Sequence, residues 1–219
     1  MLARAAVQIG IGGGNGVDWT TESSKLREAR GIQGYEPLQP FVSQRTLDRS
    51  LWYEGQLVVL YAQGAAVGNT CCIWEGNIPQ AIGPPPHIHL YEHEIFFVIE
   101  GHLQAWVEGV GYDVPKDSLI FLPCGRMHWF VSAAPCTRMF SLTVTAGKEF
   151  PNINNNTALF QFMGKPAEAM TLPPLAEVAT LPDPREIRRV SRESGSDIPD
   201  LERLGWRRGY GDGKNEGGR

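Results

Sequence analysis

All five histidines of the chain, His87, His89, His93, His102 and His128, lie between positions 87 and 128, and the rest of the sequence has none. Neutral imidazole is the commonest metal donor among side chains, so this clustering is the first chemical clue. Three of them, with Glu94, fall in one stretch, HIHLYEHEIFFVIEG, residues 87–101. In an extended strand side chains repeat every second residue, so His87 and His89 share a face and can present two rings to one ion. Two nitrogens alone bind weakly. Glu94 lies at an odd offset from His89, and a bend through residues 90–93 is needed to turn it to the same side, where it begins the next strand. His128 follows the turn PCGRM at the start of another strand, MHWFV, and is the best fourth donor. Three imidazoles and one carboxylate form a mixed nitrogen and oxygen set for a first-row divalent metal, with bonds of roughly 2.0 to 2.2 Å expected. One carboxylate against a divalent ion leaves net positive charge, which would welcome an anionic enolate, phenolate or carboxylate. Glu94 is then both ligand and proton acceptor, because a bound carboxylate can shift while taking a proton.

The elements that must position these groups are short strands. From Phe41 onward, runs such as LWYEG, QLVVLYAQG, NTCCIWEGN, HLQAWVEGVG, DSLIFLPCG and TRMFSLTVTAG are separated by turn signals. Eight or so brief runs at a spacing of about ten residues predict an antiparallel sandwich or barrel. With Glu94 inward, Phe96 and Val98 also face inward, whereas Ile95, Phe97 and Ile99 pack the reverse side. Phe130 shares parity with His128, so Phe96, Val98 and Phe130 are the expected liners of a substrate pocket. The segments IFFVI and LIFL are apolar on both parities, which requires cover on both faces. One face fills the barrel and the other meets a second sheet or a second subunit, so a homodimer is expected.

The remaining polar and aromatic residues have plainer readings. His93 points away from Glu94 on an extended strand, His102 begins a strand after a glycine turn, and Glu92 and Glu100 are most simply solvated. Cys124 sits in a turn as a structural thiol. Trp52, Trp74, Trp106 and Trp129 at strand spacing read as core or interface. After Gly147 the pattern dissolves into a loop-rich stretch with prolines. The segment DPREIRRVSRESG then predicts a helix, with Asp183 as cap, Pro184 at the first position, Glu186 completing a capping-box variant and Gly195 as the stop. TESSKLREAR, within residues 1–35, is either one short helix or a solvated arm, and the tail from residue 209 is too polar and glycine-rich to order itself.

Composition limits the functional classes. A chain of 219 residues can bury one sizeable core. A net charge of −4 supplies no basic field, so neither nucleic acid nor anionic lipid is an expected partner. No stretch reaches the roughly 18 apolar residues of a spanning helix, and the opening MLARAAVQIGIGGGNG is interrupted by glycines. Four cysteines, two of them adjacent, make no disulfide framework, and reduced thiols in a cytoplasmic protein are expected.

The stretch from His87 resembles the first motif of the cupins, His-x-His, three or four residues, Glu, six residues, Gly, through His87, His89, Glu94 and Gly101. PCGRMH resembles the second motif through Pro123, Gly125 and His128. The flanks LWYEGQLVVLYAQG and GPPPHIH and the late DPREI helix are similar to the single-domain quercetin 2,3-dioxygenase-like cupins. Ala81 and Asp117 stand where the two motifs usually begin with glycine, and Ser132 replaces the closing asparagine. The resemblance implies an all-β double-stranded β-helix, or jelly-roll, barrel over residues 36–150, with a C-terminal loop and helix over 151–208 packing on it. Residues 1–35 and 209–219 fall outside the barrel as an arm and a flexible tail. It implies a homodimer and one divalent transition metal per subunit, whether Fe, Mn, Ni, Co, Cu or Zn. The implied activity is that of a dioxygenase taking dioxygen and a small aromatic, flavonoid-like or polyketide-like enol or phenol, as in secondary metabolism. The same cavity can run isomerisation, cyclisation, dehydration or decarboxylation, or bind a small molecule without catalysis.

Overall fold

The computed structural model describes residues 17–32, 37–147, 155–174 and 183–203. The chain divides into two units, residues 1–42 and 43–219. In the first, the alternative between helix and arm resolves as a helix, α1 (Trp19–Ala29), none of whose side chains is buried. The Asp18 carboxylate caps it, accepting from the Thr20 and Thr21 N–H groups. The expected flexible tail, residues 209–219, lies outside the described residues.

The second unit is built mainly of antiparallel β-strands. Its strands are β1 (Ser50–Tyr53), β2 (Gln56–Ala62), β3 (Cys71–Pro79), β4 (Ile88–His89), β5 (Glu92–Glu100), β6 (His102–Val107), β7 (Val110–Pro115), β8 (Leu119–Leu122), β9 (His128–Ser132), β10 (Cys136–Thr145), β11 (Lys165–Pro166) and β12 (Ser196–Asp197). They form a seven-stranded sheet in the order β11-β1-β2-β3-β10-β5-β8, a three-stranded sheet β7-β6-β9, and the pair β12-β4. All pairings are antiparallel.

Burial alternates along β5 as parity requires: Glu92, Glu94, Phe96 and Val98 are buried, and the residues between them are not. The inward faces meet in one core that includes Val58, Trp74, Ile78, Phe96, Val98, Leu103, Phe130 and Met139. On the reverse side of β5, β8 and β10, Phe97, Leu119, Phe121 and Phe140 remain 37–60% exposed. The Ser132 side chain, at the position of the usual asparagine, is buried and ties a corner by bonding the Thr137 hydroxyl and the Ala134 carbonyl.

Two helices attach to this frame. The loop-rich expectation after Gly147 needs correction, because α2 (Asn155–Met163) is helical and drives Phe160 into the core against Tyr53 and Trp74. Asn-Asn-Thr carries little helical preference, and one buried aromatic anchor supplies the ordering that local sequence lacks. The helix α3 (Pro184–Glu193) starts as expected, with Asp183 accepting from the Arg185 N–H and Pro184 at the first position. Glu186 pairs with Arg189. Gly195, at φ +89°, turns the chain so that β12 runs beside β4.

Candidate metal centre

The strand β4 is only two residues long, yet it is held from both sides. His87 and His128 exchange backbone hydrogen bonds of 3.0 and 2.9 Å, joining the His-x-His segment to the first residue of β9. Ser196 pairs with His89, the Leu90 N–H donates to the Gly195 carbonyl, and the Gly125 N–H donates to the His89 carbonyl. Glu94 comes from the other sheet, between Thr143 of β10 and Leu122 of β8. The bend expected over residues 90–93 is confined to Leu90 and Tyr91, and β5 begins at Glu92 rather than at Glu94, yet the turn still brings Glu94 to the side of the rings.

The four expected ligands converge. His87, His89, Glu94 and His128 each offer an atom within 4.8 Å of the others, and the last three are at most 4% exposed. The rings of His87 and His128 are 4.4 Å apart, and His89 lies 5.2 and 5.5 Å from them. The Glu94 Oε2 atom is 3.3 Å from His128 Nε2 and 3.6 Å from His89 Nε2. Donors around one ion at bonds of about 2.1 Å stand roughly 3 to 4 Å apart, so this spacing suits a single cation.

The far side of each ring fixes which nitrogen is available. His87 Nδ1 donates to the Pro85 carbonyl and His128 Nδ1 to the Arg126 carbonyl, each at 2.9 Å. A carbonyl only accepts, so both rings carry a proton on Nδ1, which leaves Nε2 as the nitrogen available to the cluster. Buried His128 Nε2 makes no hydrogen bond among the described residues. An orphaned inward nitrogen beside two other imidazoles and a carboxylate fits a divalent ion.

Electrostatics agree with that donor set. Burial, followed by the neighbouring His128 and His89 rings, drives the His87 pKa down to about 3, which keeps a neutral ligand. Burial also disfavours charge on His89, but the Glu92 and Glu94 carboxylates prevail and raise it to about 9. Burial pushes the Glu94 carboxyl up, and the facing His128 and His89 groups overcome this and hold it well below the usual range.

Glu92 corrects the sequence reading. It is 2% exposed, not solvated, and its Oε2 atom lies 3.3 Å from His89 Nδ1. Its even offset from Glu94 was the signal, since both must then face inward on β5. Two further residues escaped the sequence. Ser141 Oγ and Asn156 Nδ2 approach Glu94 Oε1 at 3.4 and 3.3 Å, bracing the carboxylate from β10 and α2. Ser141 had only its inward parity to mark it, and nothing in the sequence marked Asn156.

The other candidates take the places their parity assigned. Phe96, Val98 and Phe130 are all inward and at most 4% exposed, and the two rings pack edge to face at 4.7 Å. His93 accepts the Cys124 N–H at 3.0 Å and lies against Phe121, away from the cluster. His102 contacts Asp113 at 2.6 Å across the hairpin. Trp52 bonds the Thr171 carbonyl, Trp74 enters the core, and Trp106 stacks on Trp129.

Residues 77–140, which hold all four converging groups, match the family described as "Cupin domain". The chain is 42% identical over 50 residues to an oxidoreductase, OpS7, of Beauveria bassiana, a match spanning 22% of this chain and 16% of that protein. Among solved structures, a predicted oxalate decarboxylase from Thermotoga maritima is 12% identical, covering 48% of this chain and 99% of its own, at a TM-score of 0.44. KdgF from Halomonas sp. is 17% identical, covering 43% and 83%, at a TM-score of 0.38.

Proposed function

We propose that the protein is a metal-dependent cupin dioxygenase acting on a small aromatic, flavonoid-like or polyketide-like enol or phenol. The carrying observation is the convergence of His87, His89, Glu94 and His128 within 4.8 Å inside the barrel. A first-row divalent ion, whether Fe, Mn, Ni, Co, Cu or Zn, would supply there a Lewis acid to stabilise an enolate or phenolate and, when redox-active, a centre for dioxygen chemistry. His87, His89, Glu94 and His128 would hold the ion. Glu94 accepts the substrate hydroxyl proton, while Ser141 and Asn156 keep its other oxygen oriented. Phe96, Val98 and Phe130 set the apolar wall beyond the donors. The oxidoreductase name of the fungal relative agrees in class, although it spans a small part of that protein.

The bracing of Glu94 favours one other reading. A carboxylate held from both sides is suited to repeated proton transfer without an oxidant, as an isomerase, cyclase, dehydratase or decarboxylase requires. Oxygen uptake with product mass separates the two. Turnover that continues unchanged under anaerobic conditions, with isobaric, water-loss or carbon-dioxide-loss products, would remove the dioxygenase reading. Failure of the purified protein to bind metal on reconstitution would leave a non-catalytic binding cupin.

The setting forms part of the same proposal. A cytoplasmic location is supported by the four free thiols, Cys71, Cys72, Cys124 and Cys136. Nucleic acid and membrane are not expected partners, and a homodimer is supported by the exposed Phe97, Leu119, Phe121 and Phe140 on one sheet face. Mass in solution tests the last point: a monomer at micromolar concentration would overturn it.

A further inference from the structure

Resting on the reading that the cluster holds a divalent cation, we infer that Glu92 is the positioning residue for His89 and the second negative charge that makes the loaded site electrically neutral. The three rings direct Nε2 into one space, but their far nitrogens are anchored differently. His87 and His128 rest on main-chain carbonyls, while His89 Nδ1 faces the Glu92 carboxylate at 3.3 Å. Both partners are 2% exposed, so this contact is screened by protein and not by water. A buried carboxylate on that side of the ring would hold Nδ1 as the protonated nitrogen and leave Nε2 for the cation. His89 is therefore the ring whose orientation depends on a charged side chain.

Charge balance gives the second consequence. A divalent ion with Glu94 alone leaves one positive charge, whereas Glu92, on the same inward face of β5, cancels it. A neutral site offers little attraction to a free anion. The substrate that suits it arrives as the protonated enol or phenol and loses its proton only on contact with Glu94. Glu92 thus selects the protonation state of the ligand, beyond orienting one ring.

The test uses the full chain stripped of metal, titrated with Co(II) in competition with a chromophoric chelator and then with azide, following the Co(II) absorption bands. Wild type binds Co(II), and Glu92→Gln weakens it about 10- to 100-fold. Azide should bind the cobalt-loaded Glu92→Gln protein at least about 5-fold tighter than wild type, because one buried negative charge has gone. A merely loosened site would not gain affinity for an anion. Equal Co(II) affinity in the two proteins, or weaker azide binding in the variant, overturns the inference. No Co(II) binding by wild type overturns the parent reading instead. Should Glu92→Gln fail to fold, Glu92→Asp decides: weakened Co(II) with wild-type azide affinity supports the inference, and tightened azide defeats it.

Discussion

Two buried carboxylates on the same sheet, Glu75 and Glu94, have opposite surroundings. Glu75 is fully buried on the outer side of β3, where it receives Arg45 Nε at 2.9 Å, Arg138 Nε at 2.9 Å and Arg138 Nη2 at 2.8 Å. Tyr61 OH and Asn77 Nδ2 complete its shell at 3.2 and 3.4 Å. Two permanent cations of the chain itself balance it, and its oxygens are taken. Glu94, on the inner side, faces His128, held by the Arg126 carbonyl on its far edge, and His89, whose far edge faces Glu92, with weak braces from Ser141 and Asn156. No guanidinium reaches Glu94 among the described residues. A buried acid saturated by arginine holds the fold, whereas one that faces imidazoles and neutral donors is suited to a cation from outside.

The largest effect should come from removing the inner acid. Glu94→Gln is expected to weaken metal binding and to lower turnover about 10²- to 10⁴-fold, the usual contribution of a proton-transfer group. Metal affinity by chelator competition and kcat on the identified substrate check this, with thermal midpoint as control. A variant that keeps both metal and turnover would erase the contrast between the two acids.

Glu75→Gln should do the reverse, destabilising the fold while sparing metal affinity. Breaking a buried ion pair costs about 3 to 5 kcal/mol, and the partly exposed Arg138 and Arg45 side chains reduce this to roughly 2 to 3. Burial raises the Glu75 carboxyl, but the bonds from Arg138 and Arg45 prevail and hold it below the ordinary value of 4.5. Its stabilising contribution is therefore present above about pH 4.5 and is lost as pH falls through the lower folded value. Urea unfolding from pH 7 to pH 3 should show a shallower acid limb in Glu75→Gln. An acid limb as steep as wild type would mean that other carboxylates govern acid unfolding.

The difference in legibility between these two sites has a physical cause. Parity brings His87 and His89 to one face of β4, and the bend after His89 turns Glu94 of β5 toward them, both of which short-range sequence marks. The same rule held for Phe96, Val98, Phe97 and Ile99, and it would have exposed Glu92 had it been applied to both acids. The outer cluster joins Arg45, Tyr61, Glu75 and Arg138 across three strands and the segment preceding β1, and no local pattern encodes such pairings. Asn156 was hidden for the same reason, since α2 depends on the distant contact of Phe160 with Trp74. Strand faces are local properties. Sheet partners and long returns are not.

Gly195→Ala sharpens the contrast from a distance. A Cβ at this position would meet the Tyr91 ring at 2.3 Å, and the φ of +89° is itself unfavourable for a side chain. The expected loss is about 1 to 2 kcal/mol of stability. Because β12 pairs with His89, the strain also reaches the metal strand, and a several-fold loss of metal affinity should accompany it. Glu75→Gln, at larger cost to stability, should show no such loss. Equal metal affinity in Gly195→Ala and wild type would show that the C-terminal strand does not tune the donors.

Ala81→Gly carries the smallest effect and probes the frame alone. Ala81 and Asp117, at the positions where the cupin motifs usually begin with glycine, both hold φ +62°. The backbone thus retains the glycine conformation after the glycine has gone. Asp tolerates this region through its short polar side chain, but alanine has no such compensation. Glycine at position 81 should relieve strain of about 1 kcal/mol, part of which returns as greater freedom of the unfolded chain. A thermal midpoint raised by a degree or two is expected, with metal affinity and the Glu75 acid limb both unchanged. Ala81 donates its N–H to the Ser132 carbonyl at the far end of β9 from His128, so a change in metal affinity would mean that strain travels along that strand to the donors. In that event the inner site would be tuned by backbone strain as well as by charge, and the contrast between the two carboxylates would no longer rest on their partners alone.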